Sequence, residues 1–124
     1  MNKNNVLLET IVEGIQGVKG VDILSLNLQK IDVSICKYFV ICSGNSNTHV
    51  SSIKRSIEKN VMQNLDEKPW HIESDQNSNW ILMDYADIVV HIFQEETRKF
   101  YRLEEFWGDA QIATYRKYKQ KQIS

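Results

Sequence analysis

Residues 80–107 constrain the fold of this chain more than any other part of its sequence. Two apolar runs, residues 80–83 and 88–93, flank the polar segment 84–87, and β-branched residues in the second run favour extended structure. Over residues 94–107 the apolar side chains instead recur at helical spacing, with acidic residues at the start and basic residues after them. The pattern predicts a strand, a tight turn, a second strand and a helix.

The part of the chain before residue 80 predicts two more helices and three more strands. Periodic or alternating apolar residues place the helices over 6–18 and 50–65 and the strands over 22–28, 38–42 and 70–74. The predicted order of elements is therefore α-β-β-α-β-β-β-α. Five strands and about three helices in a small chain favour an α/β fold of the mixed α+β kind, in which helices pack on a five-stranded mixed sheet.

Length and composition predict one domain, assigned to residues 1–110, followed by a basic tail at residues 111–124. The chain has 124 residues, of which 42% are hydrophobic and 25% are charged, as in an ordinary globular domain. Its net charge of −1 lacks the basic excess expected of a domain that grips a nucleic-acid duplex. Only the tail is locally basic, so we expect it either to be a solvated chain end or to make a minor contact with RNA or an acidic neighbour.

The sequence favours a cytoplasmic protein that does not enter a membrane. No apolar run approaches the length that crosses a bilayer. The first 15 residues place Glu9 and Glu13 among apolar side chains, which is typical of an amphipathic helix and not of a secretion signal. Cys36 and Cys42 lack the C-x-x-C spacing of redox and metal sites, so we expect reduced thiols.

The most enzyme-like feature is Gly44-Asn45-Ser46, which lies between a predicted strand and a predicted helix. In nucleotidyltransferases such a turn holds phosphate, because free backbone N–H groups and the helix dipole favour an anion there. Those enzymes also need paired carboxylates downstream to hold Mg²⁺, and no Asp-x-Asp or Asp-x-Glu pair follows here. We therefore expect the turn to cap the helix, and a nucleotidyltransferase-like enzyme is the alternative.

Neither the paired aspartates nor the histidines predict a catalytic or metal site. Asp84 and Asp87 flank a two-residue turn, where aspartate most often accepts backbone N–H bonds, although two such carboxylates can also bind a metal or exchange protons. The histidines lack metal-ligand spacing, and His91 stands on an apolar strand face, where a structural role is commoner. No catalytic residue, metal or cofactor is therefore predicted.

Ten residues at fixed spacing give the chain a family resemblance. They are Trp80, Asp84, Asp87, His91, Glu96, Arg98, Tyr101, Leu103, Glu104 and Trp107. This pattern resembles that of the ribosomal silencing factor RsfS, or Iojap-like, family, and residues 43–50 and Glu73 resemble it as well. Ser74 and Ala86 stand where the family has glycine, and Lys37 stands where the family commonly has an acid.

The resemblance implies a nucleotidyltransferase-like α/β fold without an active site, and a protein that is not an enzyme. Such a factor binds the large ribosomal subunit at its inter-subunit face, through the fourteenth protein in large-subunit numbering. There it blocks subunit joining and represses translation when nutrients are limited. The resemblance also implies a possible homodimer, places any RNA contact of the basic tail on rRNA, and involves no small-molecule substrate. A generic dimeric adaptor is the remaining alternative.

The predicted partner-binding residues lie in the same segment that predicts the fold. They are Trp80, Leu82, Asp84, Tyr85, Arg98 and Tyr101. Strand alternation directs Trp80 and Tyr85 to opposite faces of the sheet, and one small core cannot account for both faces. Interfaces favour Trp, Tyr and Arg as anchors, and Arg98 and Tyr101 share one helical face. For that helical face, the resemblance favours a binding surface over a solvated one.

Overall fold

The structure, a computed structural model, describes residues 3–30, 36–101 and 111–115. The helices are α1 (Lys3–Gly17), α2 (Asn47–Leu65) and α3 (Glu95–Tyr101), and the strands are β1 (Val21–Asn27), β2 (Tyr38–Gly44), β3 (His71–Ser74), β4 (Trp80–Asp84), β5 (Ile88–Gln94) and β6 (Gln111–Tyr115). The mixed class and the order of the first eight elements confirm the prediction. The predicted continuation of the last helix to Trp107 lies outside the described residues.

The described strands form one mixed sheet in the order β3-β4-β5-β2-β1-β6. Strands β2 and β5 pair in parallel, and the other neighbouring strands pair antiparallel. A parallel pair needs a long crossover, and α2, β3 and β4 supply it between these two strands. The crossover brings distant parts of the chain together, so that Ser43 pairs with Phe93 and Phe93 pairs with Trp80.

The predicted count of five strands was wrong, because β6 is a sixth. It lies in the segment that the sequence assigned to the basic tail, and it pairs with β1 through partners such as Leu26 and Ile112. The Tyr115 hydroxyl also lies 3.0 Å from the hydroxyl of Ser25. The basic charge of this segment predicted a tail, whereas hydrogen bonding to the open edge of β1 makes residues 111–115 a strand. The rest of that segment, residues 116–124, lies outside the described residues, and the division at residue 110 stays a prediction.

The main core lies between one face of the sheet and helices α1 and α2. Its buried apolar side chains include Ile11 and Ile15 of α1, Ile53 and Ile57 of α2, and Ile92 of β5. The two helices pack closely because Gly14 has no side chain: a Cβ at this position would lie 3.0 Å from the Cα of Ile57. Full burial of these side chains supplies most of the stabilising free energy.

Two features bear on the expectations about thiols and membranes. Cys36 and Cys42 are free thiols, as predicted. Both are buried, and burial raises their pKa values to about 11 and about 12, which keeps both thiols protonated. Among the described residues, none of the helices has the length and apolar character needed to span a bilayer.

Candidate functional site

The sheet face opposite the two long helices carries three of the six predicted binding residues. We call it the Trp80 face, and it consists of Trp80, Leu82 and Asp84 on β4, Val89, His91 and Phe93 on β5, and Phe39, Ile41 and Ser43 on β2. Strand register aligns these residues in three rows of three across neighbouring strands. The apolar members form a second buried cluster, against which Trp80 and Leu82 pack while remaining half-exposed.

Trp80 is held in place by aromatic neighbours on β5. Its ring stacks beside His91 at a centroid distance of 6.2 Å and beside Phe93 at 6.3 Å. The indole Nε1–H donates to Nδ1 of His91 at 3.4 Å. The indole is therefore fixed in orientation before any partner arrives, while part of its surface stays open to solvent.

His91 is a structural residue of this face, as the sequence suggested. Only 8% of its surface is exposed, and Phe39 packs edge-on against its ring at 4.9 Å. Burial lowers its pKa from 6.5 to about 4, so the imidazole is neutral at pH 7. No described residue bonds its Nε2 atom, which is buried. In the part of the chain that the structure describes, no three acidic, histidine or cysteine side chains are grouped as metal ligands would be.

The buried imidazole predicts a loss of stability in mild acid. Because the pKa of His91 is lower in the folded state than in the unfolded state, its contribution is complete above pH 6.5 and declines towards pH 4. Between pH 7 and pH 5 the wild type should lose about 2 kcal/mol more unfolding free energy than His91→Phe, as measured by urea denaturation. Equal acid sensitivity in the wild type and His91→Phe would contradict the assignment.

Asp84 organises the turn between β4 and β5. Its Oδ1 atom accepts the backbone N–H of Ala86 at 2.7 Å, and Tyr85 N donates to the carbonyl of Ile88 at 2.9 Å. This is the turn chemistry expected of aspartate. Ala86 itself has a φ of 73°, a conformation that favours glycine. Alanine at this position, where the resembled pattern has glycine, therefore carries backbone strain.

Relief of this strain gives a prediction at Ala86. Ala86→Gly should stabilise the protein by about 1 kcal/mol, because glycine adopts a positive φ without a Cβ clash. The matched control is Ala113→Gly on the exposed strand β6, which should destabilise the protein by about 0.5–1 kcal/mol. Thermal or chemical unfolding measures both changes. A loss of stability in Ala86→Gly would show that the turn tolerates alanine without strain.

The structure corrects the assignment of Tyr85 to the binding surface. Its side chain is 5% exposed and belongs to the core beneath α1 and α2, on the sheet face opposite Trp80. Burial raises the pKa of its hydroxyl, and the negative charges of Glu58 and Glu67 raise it further. Alternation already placed Trp80 and Tyr85 on different faces, and the structure shows that the face with Tyr85 is the covered one.

Arg98 reaches the Trp80 face from α3. Its guanidinium Nη1 donates to the hydroxyl of Ser43 at 3.0 Å and to the backbone carbonyl of Asp22, which has a positive φ of 50°. Ser43 stands in the same row as Phe93 and Trp80, so Arg98 lies at the Trp80 end of the face. The backbone of Tyr101 ends α3, and its side chain lies outside the described part of the chain.

The Gly44-Asn45-Ser46 turn is a helix cap, as predicted. The Ser46 hydroxyl accepts the N–H of His49 at 3.1 Å, and the Ser46 carbonyl accepts the N–H of Val50 at 2.9 Å. Asn45 N donates to Nδ1 of His49 at 2.8 Å. A phosphate-binding turn needs such N–H groups to point at the ligand, and these three already have acceptors within the protein.

Comparison with known proteins supports one family. The family model described as "Ribosomal silencing factor during starvation" matches residues 2–124. The chain is 35% identical to ribosomal silencing factor RsfS of Halalkalibacterium halodurans, over 86% of this chain and 90% of the relative. It is 39% identical to RsfS of Bacillus subtilis, over 74% of this chain and 76% of the relative. A crystal structure of a Chromobacterium violaceum protein superposes with a TM-score of 0.78 at 25% identity, covering 87% of this chain and 88% of the other. With a matching fold and a family match along almost its whole length, the chain belongs to the ribosomal silencing factor RsfS family.

Proposed function

We propose that this protein represses translation by binding the large ribosomal subunit at its inter-subunit face and blocking subunit joining when nutrients are limited. The partner is the fourteenth protein in large-subunit numbering. The mechanism is steric exclusion in the cytoplasm, without a catalytic step, a cofactor or a small-molecule substrate. Membership of the silencing-factor family supports the ribosomal role, and the construction of the Trp80 face supports a binding mechanism.

The observation that carries the proposal is the half-exposed Trp80, held by His91 and Phe93. A tryptophan is a frequent anchor of protein interfaces, since it presents a large apolar area on a side chain with few rotatable bonds. Fixing the ring before binding lowers the conformational entropy lost on association. Because the indole N–H already has an acceptor, we expect the partner to contact Trp80 through apolar groups.

The proposed surface extends from Trp80 to Leu82, Asp84, Arg98 and Tyr101. Leu82 is half-exposed beside Trp80 and adds apolar area. Asp84 is also half-exposed, and its charge suits a basic ribosomal protein. For Arg98 the contacts with Ser43 and Asp22 suggest that it positions α3 against the sheet as well as offering a charge at the rim. A modest interface suffices when it occupies a position that subunit joining requires.

Sedimentation with isolated ribosomal subunits tests this proposal. The purified protein should sediment with large subunits and not with small ones, and saturating protein should reduce the yield of joined ribosomes. Equal joining with and without the protein would overturn steric exclusion. Sedimentation with small subunits alone would overturn the choice of partner.

A further inference from the structure

A groove separates the second half of α2 from the edge strand β3, on the helix side of the sheet. It encloses about 630 Å³, a volume within the range of sites that hold peptide side chains or small ligands. Met62, Pro69 and Ile72 give it apolar lining. The Trp80 face lies on the other side of the sheet, so the surface proposed above does not include this groove.

An exposed tryptophan stands beside the groove. Trp70 follows Pro69 directly and is 80% exposed, and its backbone N–H is bonded to the carbonyl of Asp84 at 2.7 Å. The backbone of Trp70 is therefore fixed by this hydrogen bond, while most of its indole ring is exposed to solvent. A tryptophan with this much apolar surface in water has an unfavourable solvation free energy, and tryptophan is enriched at protein interfaces.

Strand β3 offers main-chain hydrogen-bonding groups along the same groove. The sheet order gives it β4 on one side and, among the described residues, no strand on the other. Its two polar side chains with titratable groups contact each other, with Nε2 of His71 2.9 Å from Oε1 of Glu73. By register these two stand with Asp84 and Leu82 on the Trp80 face, which leaves Ile72 on the groove side. On the groove side an added strand therefore meets the apolar side chain of Ile72.

The rim of the groove is cationic. Arg55, Lys59 and Lys68 line it, and none of the three forms an ion pair within the described part of the chain. Glu58 and Glu67 also line it, so that the cations exceed the carboxylates by one, and the Glu58 carboxylate is held by Lys54 at 2.8 Å. The unpaired positive charges favour an acidic occupant.

We propose that this groove binds an extended segment of a partner protein, with an acid-x-aliphatic-x-acid pattern, as an added strand beside β3. Residues two apart on a strand point to the same side, about 6.6 Å from one another. The central aliphatic side chain would enter the lining formed by Met62, Pro69 and Ile72, and the flanking acids would reach the cations of the rim. Main-chain bonds to β3 supply affinity and the groove supplies specificity, as in other cases of strand addition.

The groove suits an acidic peptide better than a nucleic acid. Its apolar lining offers a place for an aliphatic side chain that a nucleic acid does not have. Since the groove and the Trp80 face are on opposite sides of the sheet, the protein could hold this segment while bound to a ribosomal subunit.

Nuclear magnetic resonance titration of the full chain with a defined peptide tests the proposal. The probe is a capped heptapeptide, Thr-Glu-Thr-Val-Thr-Glu-Thr, compared with versions that replace both glutamates by lysine or the valine by serine. We expect saturable shifts of the amides of residues 71–74 and of the Trp70 indole. Either change to the peptide should weaken binding roughly tenfold or more.

Variants of the protein show whether the groove is responsible. Trp70→Ala and Lys59→Glu should each weaken binding of the acidic peptide roughly tenfold, and the exposed position of both side chains leaves folding intact. Lys30→Glu makes the same charge change at an exposed site outside the groove and should leave binding unchanged.

Four results would overturn the proposal. The first is an absence of saturable shifts, and the second is equal binding of the acidic and basic peptides. The third is binding of an oligouridylate to the same residues in preference to the peptide. The fourth is self-association that Trp70→Ala abolishes, which would make a second copy the occupant. None of these results depends on ribosome binding, so the two proposals can fail separately.

Discussion

Trp80→Ala is expected to lose large-subunit binding while the protein stays folded. Removal of a true anchor should cost about 2 kcal/mol or more of binding free energy, which is about a 30-fold rise in Kd. The indole is partly buried and packs against its cluster from the solvent side, so its removal should lower the melting temperature less than the loss of a fully buried aromatic and leave the protein folded. Sedimentation with large subunits and thermal unfolding, measured on the same variant, separate the two effects.

Trp70→Ala provides a matched control for this experiment. It removes the same side chain from a position that is 80% exposed and lies outside the Trp80 face, so large-subunit binding should remain at the wild-type level. If Trp80→Ala binds as the wild type does, the proposed surface is wrong, although membership of the family would stand. If Trp80→Ala unfolds, the residue belongs to the core and the anchor lies elsewhere.

Most of the sheet could be predicted because local pattern and tertiary environment agree in it. Alternation on β4 placed Trp80 and Ile81 on opposite faces, and both faces are indeed apolar. The continuous apolar run of β2 is typical of a central strand, and β2 lies between β5 and β1. These elements need only their own sequence to show which side chains are buried.

The parts that sequence missed depend on distant partners. Strand β6 is mostly exposed and has little apolar pattern, and only its pairing with β1 makes it a strand. Tyr85 was assigned to an interface because its residue type is common there, whereas the packing of α1 and α2 over its side of the sheet buries it. The contact from Arg98 to Ser43 joins residues 55 positions apart, and no local spacing predicts it.

The predicted site also lacked the residues that contact the indole of Trp80 and fix its orientation. His91 was interpreted as a structural residue and Phe93 as part of a strand, and neither was connected with Trp80, yet both hold the indole that is proposed to bind. Their alternation on β5, with the same parity as Val89, was visible in the sequence. What the sequence could not supply was the register between β4 and β5, which aligns Phe93 with Trp80.

Unlike Trp80→Ala, Phe93→Ala should lose much of its stability, because Phe93 supports the anchor from within the core. Its side chain is 2% exposed, and its ring lies beside those of Trp80 and His91. Truncation of a buried phenylalanine costs about 3–5 kcal/mol of unfolding free energy, which can be a large part of the stability of a domain this size. Urea denaturation should show this loss directly.

Binding of Phe93→Ala to the large subunit should weaken as well, since the indole of Trp80 loses one of the two rings that orient it. Ile112→Ala on β6 is the control: its side chain is 50% exposed and should change stability by less than about 1 kcal/mol. A Phe93→Ala protein with wild-type stability would mean that the Trp80 cluster is not a core, and Trp80 would then lack the rigid support on which its role as an anchor depends.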